Sequence, residues 1–422
     1  MDHIEKVKTK PVDFQKYQKI TPQIFKQSLA LAKKLTGRKI IHLNSTQLGG
    51  GVSELLRSQV PLEKSLGLNS DWYIIKAPTQ FFKITKKIHN FLQGEQGCLE
   101  DREKYYYLKW LYSQIAKSLE ELIAKEKPEV IIIHDPQPLP LIDYIPRRII
   151  PILRMHIDLS NPNPQILNFL KPLIEKYDLA IFSHDSYQPG WLSSQKTAVV
   201  MPAIDPFTVK NQTIPKTEAE RILNLYGLNT DQPIISQVSR FDPWKDPLGT
   251  MKAYYLAKNE IPNLQLILAG IFQAYDDPQA VKVFTKVKKQ AIGDPDIFLF
   301  ADPTHLKETS NDLFINAVYT ASDVIVQKSI KEGFGLTVTE AMWKGKAVIG
   351  GQTKGIALQI KDGQSGFLVN SPEEAAQYLV RLLKNKKLRK KIGQAAHQSV
   401  MNKFLLSRLV LDHLKIYSQV LK

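Results

Sequence analysis

The sequence predicts an α/β protein made of two doubly wound parallel-sheet domains. Short apolar runs alternate with longer amphipathic segments along most of the chain, the pattern of repeated strand–helix–strand units. The alternation passes through the chain twice, with an aperiodic stretch between the passes. At 422 residues the chain also exceeds what one hydrophobic core usually organises.

In the first half the strand-like runs are KIIHL (39–43), WYIIK (72–76), EVIIIH (129–134), IPILRMH (150–156), LAIFS (179–183) and TAVVM (197–201). Between them GVSELLRSQVPLEKSLG and EKYYYLKWLYSQIAKSLEELIAKEK have helical periodicity. MPAIDPFTVKNQTIPKT (201–217) is polar, carries three prolines and lacks a period, so it reads as a linker. The second half repeats the pattern with PIISQVS (233–239), LQLILAG (264–270), DIFLF (296–300), DVIVQ (323–327), AVIGG (347–351) and GFLV (366–369). Helical patterns follow to the end, and the last, SRLVLDHLKIYSQVLK, is amphipathic and suited to cross back to the first domain. The expected organisation is a first domain over 1–205, a second over 206–398 and a crossing helix over 399–422.

The chain is 43% hydrophobic and 23% charged, an ordinary globular composition. Cys98 is the single cysteine, which excludes an intrachain disulfide and a cysteine zinc site and suits a reducing cytoplasm. The stretch MDHIEKVKTKPVDFQKYQK has no apolar core of a signal peptide, and the apolar runs are too short to span a bilayer. A net charge of +16 favours anionic partners, phosphorylated small molecules included. The cations are scattered. The densest stretch, LLKNKKLRKKIG (382–393), reads as a solvated helix face. No nucleic-acid partner is expected, since zinc-finger spacing and RNA-binding aromatic motifs are missing. A weak contact with a membrane surface and a homodimer both stay open.

Ligands of parallel α/β sheets bind beyond the carboxyl ends of the strands. The first strand runs into Gly49, Gly50 and Gly51 before a helix, where backbone amides can approach an anion; a tight turn explains the glycines equally well. His134, Asp135 and Gln137 lie on a proline-stiffened loop after the third strand, and His156 and Asp158 follow the fourth. In the second half VSRFDPWKDP carries Arg240 and Lys245, two cations for one phosphate cluster. Asp242 and Asp246 beside them fit a plain surface loop with ion pairs. KEGFGLTVTEA places Glu332 before a glycine turn and Glu340 in the second turn of a short helix. Amides at Gly335, Leu336 and Thr337 suit phosphate, Glu332 suits sugar hydroxyls and Glu340 a ribose diol. Together they read as a nucleotide-sugar cradle. Asp276 and Asp277 in AYDDPQ read as a helix cap, and no metal site is predicted.

Six stretches in order, NSTQLGGGVSELL, IIHDPQPLPLI, RMHIDLSNPNP, AIDPF, ISQVSRFDPWKDP and VIVQKSIKEGFGLTVTEAMWKGKAVIGG, extend from Asn44 over most of the chain. In these the chain resembles the retaining family-4 glycosyltransferases of the GT-B fold, and within them the trehalose glycosyltransferring synthases. The resemblance implies two Rossmann-like domains facing across a cleft. It implies Arg240 and Lys245 at the donor diphosphate, Glu332 at the donor sugar, Glu340 at the ribose and His156 against the transferred glucose. Gly50 and Gly51 would close over the phosphates, and Asp135, Gln137 and Asp158 are candidates for the acceptor. Where the family has a Val-Gly-Gly-Ile type turn, this chain has Thr353 and Lys354 in QTKGIALQI.

The implied reaction moves glucose from a nucleoside diphosphate glucose to glucose, giving trehalose with retained configuration. It requires no cofactor beyond the donor substrate. The alternatives are a trehalose phosphorylase-type enzyme using phosphate or glucose 1-phosphate, and a family-4 transferase with another sugar or a lipid acceptor. From a different class, a basic nucleic-acid-binding protein is disfavoured by the ordered set of loop residues.

Overall fold

The computed structural model describes residues 3–47, 50–270, 278–302, 304, 306 and 309–422. The chain divides into two units, Met1–Pro202 with Leu406–Lys422, and Ala203–Leu405.

The strands of the first unit are β1 (Ile4–Lys6), β2 (Lys39–Asn44), β3 (Asn69–Ile75), β4 (Val130–His134), β5 (Ile150–Arg154), β6 (Leu179–Phe182) and β7 (Thr197–Val199). They form one sheet in the order β1-β3-β2-β4-β5-β6-β7. All neighbours run parallel except β1, which lies antiparallel along β3. The expected apolar runs form the parallel strands. β1 is an addition: its three residues, IEK, are too few to show a period. It is held by the burial of Ile4 and by Lys6, whose ammonium donates to Asp71 at 2.7 Å.

Side chains alternate across this sheet. Ile41 and Leu43 of β2 join Ile131 and Ile133 of β4 in the main core, with Leu153 and Phe182. The opposite face of β3 packs Trp72 and Ile74 against Leu56 and Val60 of the helix Gly51–Ser65. His42 and His134 belong to the intervening positions of their strands. The long helical pattern after position 103 is broken by a π-helical turn at Leu111–Ile115 and ends at Lys127 with φ 47°.

The second unit contains β8 (Ile234–Val238), β9 (Gln265–Ala269), β10 (Ile297–Phe300), β11 (Val324–Gln327), β12 (Ala347–Gly351) and β13 (Phe367–Val369). Their order is β10-β9-β8-β11-β12-β13, parallel throughout. Ile235, Leu266, Leu268, Val324, Val326 and Ile349 line its core with Tyr254 and Leu379. In each sheet the strand order reverses once, between β2 and β4 and between β8 and β11. Loops diverge at such points and leave a crevice at the carboxyl ends of the strands.

The linker reading changes. From Ala203 onward the segment is part of the second unit. Asn316 donates to the carbonyls of Val209 and Gln212 at 2.6 and 2.9 Å, and Trp343 Nε1 donates to Asn211 O at 3.0 Å. Side chains of distant helices thus satisfy backbone groups that no local period could pair. At the other end the helix Lys386–Lys403 runs through position 399, and the units part at Leu405 and Leu406. The basic stretch 382–393 spans the junction of this helix with Pro372–Lys384, where Asn385 caps the later helix by accepting from Leu388 N at 2.9 Å. The helix Leu406–Val420 belongs to the first unit, where Ser407 accepts from Thr21 at 3.0 Å and Arg408 donates to Met201 O at 2.6 Å. No described helix is long and apolar enough to cross a membrane.

Candidate active site

In the second unit the loops leaving β8 and β11 meet beside the reversal point. The Lys245 ammonium pairs with Oε2 of Glu332, which also accepts from Ser329 Oγ at 3.4 Å. Oε1 of Glu332 has no protein partner among the described residues. Arg240 on the same loop is held loosely: its guanidinium is 61% exposed and 3.7 Å from Asp242. The two cations therefore differ, one fixed by a carboxylate and one able to swing. Asp242 accepts from Trp244 N at 2.9 Å and shapes the turn. Asp246, at φ 48°, pairs with Lys328 and caps the helix Pro247–Lys258.

Gly335 has φ 87° and is the N-cap of the helix Leu336–Trp343. A Cβ there would lie 3.0 Å from Cγ of Glu332, so a side chain would strain the backbone and crowd the acid. The amides of Leu336 and Thr337 open the helix and have no acceptor within it. Positive backbone charge at that end suits an anion. Glu340 lies in the second turn and is 1% exposed. Its Oε1 meets Lys210 Nζ at 2.6 Å and its Oε2 accepts from Tyr319 OH at 3.0 Å. Lys210 comes from the stretch first read as linker.

Sequence reasoning missed the support of this loop. Gln359 Nε2 donates to the carbonyls of Phe334 and Gly335 at 2.5 and 3.2 Å, while its Oε1 accepts from Thr339 at 2.6 Å. Gly355 lies against the same loop: a Cβ would sit 2.6 Å from Glu332 O and 2.7 Å from Phe334 Cα. Both belong to QTKGIALQI, the stretch noted above for departing from the family turn. There Thr353 caps the helix Lys354–Ala357 by accepting from Ile356 N at 3.4 Å, so the departure starts the helix that carries Gly355.

In the first unit Gly50, at φ 83°, is the N-cap of the helix Gly51–Ser65. Its carbonyl accepts from Ser53 Oγ at 3.0 Å. A Cβ on Gly50 would meet open space, so its backbone angle, and not crowding, calls for glycine. Gly49, Asp276 and Asp277 lie outside the described residues. Asp135 follows β4 at φ 61°, a left-handed conformation unusual for a non-glycine residue. Its Oδ1 accepts from the backbone N of His156 at 2.8 Å, and burial pushes its carboxyl up to about 7. Gln137 keeps a buried Oε1 with no partner among the described residues, an acceptor that a ligand hydroxyl would satisfy. Asp158 caps its own loop through Ser160 N at 2.8 Å. His156 is partly exposed, with Nε2 2.9 Å from Nδ1 of His134. The structure thus joins His134, Asp135 and His156 in one unit, and Lys245, Glu332 and Gly335 in the other. Among the described residues no group of three or more His, Cys, Asp or Glu side chains could hold a metal ion.

Comparison with known proteins places these features in a family. Residues 42–189 match the model of the trehalose synthase N-terminal domain, and residues 219–399 match that of glycosyl transferases group 1. The chain is 40% identical over 392 residues to a trehalose synthase of Pyrococcus horikoshii, covering 92% of this chain and 91% of that protein. It is 36% identical over 408 residues to one of Rubrobacter xylanophilus, covering 95% of each. Among solved structures, Anabaena Alr3699/HepE in complex with UDP-glucose matches with a TM-score of 0.69 at 16% identity, over 90% of this chain and 99% of that one. The chain belongs to the trehalose synthase family of group 1 glycosyltransferases, hexosyltransferases of the GT-B fold.

Proposed function

We propose that the protein transfers glucose from a nucleoside diphosphate glucose to glucose, with retention, and so forms trehalose. The observation that carries this reading is the Lys245–Glu332 pair set beside the start of the helix Leu336–Trp343. In it a cation and helix amides await a diphosphate, while Oε1 of Glu332 awaits a sugar hydroxyl. Arg240 folds onto the diphosphate as it binds. Glu340, anchored by Lys210 and Tyr319, accepts from the ribose diol.

In the first unit His156 meets the transferred glucose, Gly50 and Gly51 bring amides to the phosphates, and Asp135, Gln137 and Asp158 serve the acceptor. The acceptor hydroxyl attacks on the face from which the phosphate departs, and the phosphate oxygen takes its proton. Catalysis then rests on placement and on positive charge at the leaving group.

The test is carbon-13 NMR of mixtures containing the protein, glucose and one of several nucleoside diphosphate glucoses. Trehalose formed with release of the nucleoside diphosphate is the expected result. Trehalose formed only from glucose 1-phosphate, with phosphate released, would replace this reading with the phosphorylase one. No transfer to glucose from any donor would point to another acceptor.

A further inference from the structure

A buried chain of hydrogen bonds runs through the first unit to His156, and the proposed reaction makes no use of it. It begins at Glu63 on the helix Gly51–Ser65, a side chain with no exposure. Four groups surround that carboxylate. Gln59 Nε2 and Tyr417 OH donate to Oε1 at 2.9 and 3.0 Å. Ser70 Oγ donates to Oε2, and His42 Nε2 lies 3.1 Å from the same oxygen. His42 Nδ1 is 3.1 Å from His134 Nε2, and His134 Nδ1 is 2.9 Å from His156 Nε2. The rings stack successively, with centroids 5.3 and 5.2 Å apart. Strand register explains the path. His42 pairs with Ile132 and His134 with Arg154. Each ring therefore lies two positions further toward the carboxyl end of its neighbouring strand, on one face.

Direction follows from proton counting. The Gln59 amide can only donate at its nitrogen, and a buried carboxylate that receives Gln59, Tyr417 and Ser70 as donors is ionised. His42 must then carry its proton on Nε2. If its ring is neutral, Nδ1 is an acceptor, and His134 donates to it from its own Nε2. The same step makes Nδ1 of His134 an acceptor for Nε2–H of His156. Nδ1 of His156 is left with a lone pair, and no protein group meets it among the described residues.

We propose that Glu63 sets, through His42 and His134, the tautomer of His156, so that Nδ1 of His156 meets its sugar as a hydrogen-bond acceptor. Glu63, His42 and His134 are positioning residues in this scheme, which rests on the reading that His156 touches the transferred glucose. Burial opposes ionisation of Glu63, and its contacts with His42, His413 and Ser70 favour the carboxylate and hold it below the usual range. Burial, with neighbouring rings and Arg154, holds His134 and His156 well below the usual imidazole range. The charged and titratable groups facing the chain are Arg154 of β5, Asp135 after β4, and His413, Tyr417 and Arg408 of the C-terminal helix. Uptake of one proton at Nδ1 of His156 would reverse both imidazole–imidazole bonds. The positive charge would then rest on His42 beside the Glu63 carboxylate, and His156 would become a donor.

The experiment is a long-range proton–nitrogen correlation spectrum of the full chain labelled with nitrogen-15 histidine, at neutral pH. The expected spectrum shows Nε2 of all three rings protonated and Nδ1 of His156 unprotonated. His134→Phe removes the acceptor of His156, so its two nitrogens should average between tautomers, and kcat/KM should fall roughly three- to tenfold, the loss of one ordinary hydrogen bond. His134→Gln, which can accept from His156 and donate to His42, should restore both readouts. A protonated Nδ1 of His156 in the unmodified protein would overturn the proposal, as would His156 nitrogens unmoved in His134→Phe. The spectrum of the unmodified protein decides the tautomer even if the Phe variant fails to fold, and it does so whether or not trehalose is the product.

Discussion

Gly355→Ala isolates the rigidity of the loop that carries Glu332. Gly355 lies in the helix Lys354–Ala357 and has no positive φ, so alanine suits its backbone. The conflict is purely steric. The added carbon would sit 2.6 Å from Glu332 O, and ordinary contact begins at 3.4 Å, so the loop must retreat by about 0.8 Å. Overpacking of this kind costs about 1–3 kcal/mol, offset in part by the ~1 kcal/mol by which alanine is a better helix residue than glycine. Melting followed by circular dichroism should therefore show only a modest shift. Turnover should suffer more. Glu332 and its Lys245 partner move with the loop, and misplacement of a reacting geometry by about 1 Å costs about 100-fold. The expected fall in kcat at saturating donor is thus about 10- to 100-fold, with nucleoside diphosphate affinity by titration calorimetry much less affected. Gly190→Ala, where a Cβ meets nothing within 4 Å, is the control. Unchanged kcat together with an unchanged melting curve in Gly355→Ala would refute the idea that this glycine holds Glu332 in place.

Glu332→Ala should bind the free nucleoside diphosphate nearly normally yet lose most turnover, whereas Glu340→Gln should weaken both free nucleotide and donor by about 1–3 kcal/mol and raise KM. Titration with both ligands checks this, and identical profiles would merge the two acids into one role. Glutamine is the useful change at 340, because Glu340→Ala strands the Lys210 ammonium, which is 14% exposed, and should also destabilise the fold. Arg240→Ala should lower kcat more than it raises KM, since charge on the leaving phosphate grows in the transition state; near-normal kcat in steady-state assays would count against it. Glu63, held at about 2 against an ordinary 4.5, adds stability that is complete above the ordinary value and disappears as pH falls toward 2. Urea unfolding of Glu63→Gln from neutral to acid pH should therefore show a shallower acid decline than the unmodified chain.

Strand–helix alternation is a local property, and for that reason the parallel strands could be placed from the sequence alone. The positions of the two glutamates around a glycine turn and of the cations after β8 could be read in the same way, because a loop at a strand end carries its residues consecutively; their roles belong to the proposal. What neighbours cannot specify, tertiary structure decides. β1 is too short to show a period and exists because β3 offers it an edge. The aperiodic stretch after Ala203 looked like a linker, since its carbonyls are paired by Asn316 and Trp343 far along the chain. In the sequence Glu340 has the pattern of an exposed acceptor, and the fold encloses it with Lys210 and Tyr319. Gln359 and Gly355 belong to a stretch without a motif, and their importance lies wholly in the loop they touch. His42 sits in an apolar run with no local hint of what it meets. Its partners come from a helix and a neighbouring strand, and Glu63 in turn meets Tyr417, 354 positions from Glu63. Periodicity tells a segment which face it will bury, but topology chooses what it meets there. Buried polar groups, which must find partners or go unpaired, depend most on that choice.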